Sequence, residues 1–197
     1  MAKVKPAERA EEVATETVAT SPRLYFTWGI AAVLLLAALL RLLFLHDIPP
    51  GLAQDEVLNA DIVTFIRGGQ HALFFREGFG HEPLYHYWSV PFQILLGDNV
   101  LSMRLPAFVL GILLIAATAR WVKRDFGAIT AVSTALGLAI SWWPIIFSRI
   151  GIRPILLPLL LVGAAYFWLS PRSGEKVASE DATGRASEDV LLLKQGK

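Results

Sequence analysis

The chain has 197 residues, 54% hydrophobic and only 18% charged, with a mean hydropathy of +0.51. Soluble domains carry about 25% charged residues, so the composition argues for a membrane protein. The absence of cysteine excludes disulfides and thiolate metal sites, and a net charge of +1 predicts no nucleic-acid partner.

Residues 1–23 are rich in Ala, Glu and Thr without apolar periodicity and read as a disordered cytoplasmic tail. Four apolar runs follow, each near the roughly 20 residues that a hydrocarbon core requires. The first, 24–45, has Arg41 as its one charge. It is longer than the 7–15 residues typical of a signal-peptide core, so it is expected to stay as an anchor. The others are 102–122, 127–148 and 152–170. Residues 171–197 read as a second disordered cytoplasmic tail. The predicted fold class is therefore all-α, a polytopic membrane protein with four transmembrane helices. No internal repeat is visible.

Charge placement orients this arrangement. Lys3, Lys5, Arg9 and Arg23 precede the first span; Arg120, Lys123 and Arg124 separate the second and third; Arg172, Lys176, Arg185, Lys194 and Lys197 follow the fourth. Segment 46–101 has only Arg67 and Arg76 against Asp47, Asp55, Glu56, Asp61, Glu77, Glu82 and Asp98. By the positive-inside rule both termini are cytoplasmic and the acidic loop faces outward, in a cytoplasmic (inner) membrane. Trp142 and Trp143 then fall at the outer interface and Trp168 at the inner one.

The outer loop is too long for a simple connection and holds helical signals. From Asp55 to Arg67, Leu58, Ile62, Phe65 and Ile66 form an amphipathic stripe suited to a bilayer surface, and Gly68-Gly69 stops it. A second, aromatic helix starts at Glu82 with Pro83 at its first position, and Pro91 is expected to kink it. All four histidines, His46, His71, His81 and His86, lie in this loop.

Asp55 and Glu56 have two readings. Carboxylates are favoured at a helix N-terminus by about 0.3–1 kcal/mol. A carboxylate held at a membrane surface can also act as a general base on a hydroxyl, worth typically 10²- to 10⁴-fold. On a helix Asp55 would point towards the Leu58/Ile62 stripe and Glu56 to its flank. His81 and His86 are five apart, off a shared helix face, so no metal site and no cofactor are expected. Arg149 and Arg153, like Arg41 and Arg104, can either snorkel from the apolar boundary or bind a lipid phosphate through the guanidinium fork.

The segments "LLRLLFLHDIPPGLAQDEVLNA", "GHEPLYHYW", "LLGDNVLSMRLPAFVLGILLIAATARWVKRDFG" and "SWWPIIFSRIGIRPILLP" resemble the amino-terminal part of integral-membrane GT-C glycosyltransferases, in the protein-mannosyltransferase and aminoarabinose-transferase-like group. The resemblance implies transfer of a sugar from a polyprenyl-phosphate donor, with inversion, to an acceptor hydroxyl on a protein, lipid or glycan outside the cytoplasmic membrane. It implies Asp55 as the base with Glu56 beside it. His81 and Glu82 match a loop motif of the substrate cavity, and Arg149, with Arg153 nearby, lies towards the donor phosphate. Members of the group have 10 or more spans, so four spans correspond to an amino-terminal fragment or a truncated product. The rival expectations are a non-catalytic four-helix scaffold or accessory subunit and, more remotely, a transporter, which would need ionisable groups at mid-bilayer.

Overall fold

A computed structural model describes the backbone of residues 6–169 and side-chain surroundings from residue 24 onward, Phe79 apart. The chain divides into Met1–Val162 and Gly163–Lys197. The account below concerns the first unit, whose last helix continues into the second. The tail expected over 171–197 lies outside the described residues.

Seven α-helices and two 3-10 turns make up the described residues, so the all-α class holds. Helix α1 (Pro6–Leu42) starts far upstream of the apolar run. The disordered tail expected over 1–23 is thus corrected to helix from Pro6. Proline suits a first helical turn, and Ala and Glu are strong helix formers.

Two short helices fill the loop. Helix α2 (Gln54–Arg67) ends at Gly68, and α3 (Pro83–Leu96) begins with proline and ends at Gly97, close to the expected limits. Helix α4 (Val100–Phe126) has Asn99 as N-cap, its side chain accepting from the Ser102 N–H at 3.0 Å. It is the central helix, buried along Ala107, Leu110, Leu114, Ile115 and Ala119. On one side it meets α1 and α5 (Ala128–Ile140) through Val33, Ala37, Ile115, Ala119, Ala135 and Ala139. Small residues at that seam let helix backbones approach closely, as association within lipid requires. On the other side Ala107, Leu110 and Leu114 pack with Tyr85 of α3 and Ile155.

The stretch Leu24–Leu42 and helix α4 are long and apolar enough to cross a membrane. Helices α5 and α6 (Trp142–Arg149) make a third span if the pair, bent by 58°, counts as one. Against the four transmembrane helices expected, two or three among the described residues meet that length and apolarity. Pro144 cannot donate to the Ile140 carbonyl and its ring would clash there, so the helix breaks at Ser141, which is extended at φ −67°, ψ 136°. The fourth run begins as a 3-10 turn, Arg153–Ile155. Helix α7 (Leu156–Trp168) then has only 13 residues. At 1.5 Å per residue that is about 20 Å, against roughly 30 Å of hydrocarbon.

Helix α2 differs from its expected placement. Ile62 and Ile66 turn inward to a cluster with Phe75, Tyr87 and Val90, so the stripe packs on α3 rather than serving as a bilayer-facing surface. Phe65 stays exposed.

Candidate functional site

The two adjacent acids differ in burial. Glu56 shares a face of α2 with Asn59, Val63 and Ile66, and all four are buried. Asp55, about 100° around the helix, is exposed. Asp55 keeps the expected side of the helix, three and seven residues before Leu58 and Ile62, while Glu56, expected on the flank, is the buried one. Glu56 Oε2 accepts from the Ala53 N–H at 2.9 Å, the return half of a capping box, since Ala53 has no side-chain acceptor. Its Oε1 accepts from Arg104 Nε at 2.9 Å and from the Gly151 N–H at 3.0 Å. Arg104, itself fully buried, also donates to the carbonyls of Leu45 at 2.9 Å and Gly51 at 2.6 Å. Glu56 is thereby committed to joining α2, α4 and the turn after α6, and offers no free oxygen to a substrate.

Asn59 Nδ2 reinforces this junction by donating to the Gly151 carbonyl at 2.8 Å. Gly151 has no alternative here, since a Cβ would lie 2.4 Å from the Met103 carbonyl oxygen and 3.0 Å from its carbon. Backbone must move to admit a methyl group. Gly151→Ala is expected to destabilise by about 1–3 kcal/mol, the usual cost of overpacking. A detergent-solubilised melting curve indistinguishable from wild type would show that this approach is looser than described.

Arg41 and Arg149 bind helix ends. Arg149 donates to the carbonyls of Leu40 (2.9 Å), Arg41 (3.2 Å), Phe44 (3.2 Å) and Ile48 (2.9 Å). These groups lie at and beyond the end of α1, where carbonyls lack intrahelical partners, and Phe44 is left-handed at φ 54°. Arg41, fully buried, donates to Ala139 at 2.9 Å and Leu138 at 3.1 Å, the carbonyls freed by the break after α5. Buried backbone carbonyls need hydrogen-bond partners, and these arginines supply them. That is a third role beside snorkelling and phosphate binding. It removes Arg149 from the cluster described next.

Asp55, His81, Glu82 and Arg153 come together at the N-terminal end of α3. His81 pairs with Phe75 in an antiparallel bridge. Arg153 Nη1 donates to the Gly80 carbonyl at 3.0 Å and to Glu82 Oε2 at 2.7 Å. Both bonds leave from Nη1, so Nη2 and Nε remain for another ligand. Burial lowers the His81 pKa from its ordinary value and Arg153 adds to that, while Asp55, Glu82 and Glu77 oppose it. The Glu82 carboxyl is lowered, mainly by its own backbone N–H and then by Arg153.

Behind His81 lies His86, fully buried, with its Nε2 3.2 Å from His81 Nδ1. Desolvation, with His81 and Arg153 acting the same way and Glu82 opposing, pushes His86 down to about 4. An unfolded histidine binds its proton near pH 6.5, so between that value and about 4 the unfolded chain holds the extra proton. Stability should therefore fall with acidification across this window and level off below it. His86→Phe should flatten that part of a stability–pH curve, which unfolding measured from pH 7 to pH 4 would test.

A groove of about 420 Å³ is lined by Glu82 and Arg153 together with Leu84, Tyr85, Leu156, Leu157 and Leu160. The site thus combines an exposed carboxylate, a cation with unused donors and a largely apolar groove. Among the described residues no group of three or more His, Asp or Glu side chains is placed to hold a metal ion. Comparison with protein-family models, with curated proteins and with solved structures finds no match for this chain.

Proposed function

We propose that the protein is a glycosyltransferase, or the amino-terminal part of one, using a polyprenyl-phosphate sugar at the outer face of the cytoplasmic membrane. The observation carrying this reading is a groove lined by leucines together with Arg153 and Glu82, with the exposed Asp55 near enough to act on His81. A polyprenyl chain suits the leucines, and its phosphate suits the unused edge of Arg153. Asp55 takes the proton of an acceptor hydroxyl while that oxygen bonds to the anomeric carbon. The bond from that carbon to the phosphate oxygen breaks, and the lipid phosphate leaves as an anion held by Arg153. Glu56, Arg104 and Arg149 position the loop without touching the substrate. The reading has the 46–101 loop outside and both termini inside.

The test is release of polyprenyl phosphate from a lipid-linked sugar in proteoliposomes, comparing wild type with Asp55→Asn. Transfer that disappears in the variant supports the assignment. Transfer that is equal in the two, or absent from the wild type, favours a non-catalytic scaffold for this chain.

A further inference from the structure

The His81–His86 pair has a directional asymmetry that the proposed chemistry does not use. The His86 ring is enclosed edge-on by Phe75 and Tyr85, at centroid distances of 5.8 and 6.1 Å. Its Nδ1 is buried without a hydrogen-bond partner. A proton there would be an orphaned buried donor, and such donors are rarer in proteins than under-satisfied acceptors. The proton of neutral His86 therefore belongs on Nε2, the nitrogen 3.2 Å from His81 Nδ1. A nitrogen accepting a hydrogen bond leaves the ring proton to the other nitrogen, which in His81 is Nε2. That edge faces the Glu77–Phe79 turn, since a Cβ at Gly78 would lie 3.2 Å from it. The charged groups around the ring are Arg153, Asp55, Glu82 and Glu77.

We infer that His86 is a positioning residue that fixes His81 as the Nε2–H tautomer, making His81 a neutral hydrogen-bond donor to an anionic oxygen held beside Arg153. The tautomer follows from geometry alone; naming the oxygen as that of a lipid phosphate rests on the proposed function. His81 in this role does not relay protons, because the only ring behind it is sealed from water.

The chain has four histidines, so the full-length protein labelled with ¹⁵N-histidine in lipid nanodiscs gives a resolvable two-bond ¹⁵N–¹H spectrum. His81→Gln and His86→Gln assign the signals by omission. At pH 7.5 the wild type is expected to show His81 in the single Nε2–H form. His86→Phe should convert it to a mixture of both tautomers. His86→Gln, whose amide nitrogen can stand where Nε2 stood, should restore the single form. A wild-type His81 protonated on Nδ1 overturns the inference whatever the variants do, as does an unchanged His81 pattern in folded His86→Phe. Adding a polyprenyl phosphate should shift the His81 Nε2–H resonance. No shift, with the tautomer intact, overturns the anion-donor role. None of these readouts needs sugar transfer, so they stand apart from a failure of the glycosyltransferase reading.

Discussion

Glu56→Ala should cost about 3–5 kcal/mol of stability, the usual loss when one partner of a buried ion pair is removed. The arithmetic rests on what is left behind. Arg104 is 0% exposed and keeps only the Leu45 and Gly51 carbonyls, so its charge stays buried without a counter-ion. The Ala53 and Gly151 N–H groups lose their acceptor as well. Glu56→Gln, which retains an acceptor oxygen but not the charge, should fall between wild type and Glu56→Ala. Replacing the pair by Glu56→Leu with Arg104→Met should recover only part of the loss, because Arg104 also serves the two carbonyls. The measurement is unfolding in detergent followed by tryptophan fluorescence, for which the chain has six reporters. A loss below about 1 kcal/mol, the range of exposed ion pairs, would mean that the junction is open to water.

One residue earlier the signature should invert. Asp55→Asn is expected to leave stability within about 0.5 kcal/mol of wild type, as surface substitutions do, and to cut transfer by about 10²- to 10⁴-fold, the contribution of a general base. Asparagine keeps the side-chain shape and removes the proton-accepting charge. Asp55 is exposed, so its loss should leave the junction around Glu56 intact. Neighbouring acids with opposite phenotypes, one in the melt and one in the rate, separate architecture from chemistry. If Asp55→Asn melts like Glu56→Ala, the proposed division between them fails.

Much of the helical layout is legible in the sequence because it follows from local rules. The apolar runs, the glycines that end α2 and α3, and Pro83 at the start of α3 each act within a turn of where they stand. What was harder to read depends on contacts between distant segments. A search for apolar periodicity on α2 centres on Leu58 and Ile62 and misses that Glu56 and Asn59 extend the same inward face, because their burial is permitted only by Arg104 and Gly151, some 48 and 92 residues away. Arg41, Arg104 and Arg149 stand out as charges at apolar boundaries. Apart from Glu56 for Arg104 and the Ser148 hydroxyl for Arg41, their partners are backbone carbonyls, which carry no residue-type signal. Pro144 is the local clue that was available for the break between α5 and α6. His86 had no such clue, since its relation to His81 depends on the fold around Phe75 and Tyr85.

The bonds from Arg149 have a consequence for the order of events during synthesis. They reach back 101 to 109 residues, to Leu40 through Ile48, whereas ribosomes add about 5–20 residues per second. For several seconds after the end of α1 has been made, its terminal carbonyls lack the guanidinium that will eventually claim them and must rely on water. A nascent chain arrested before codon 149 should therefore present residues 40–48 to a protease, and one arrested well beyond it should not. The acidic loop becomes a finished object only late, when its last fastening arrives from far downstream.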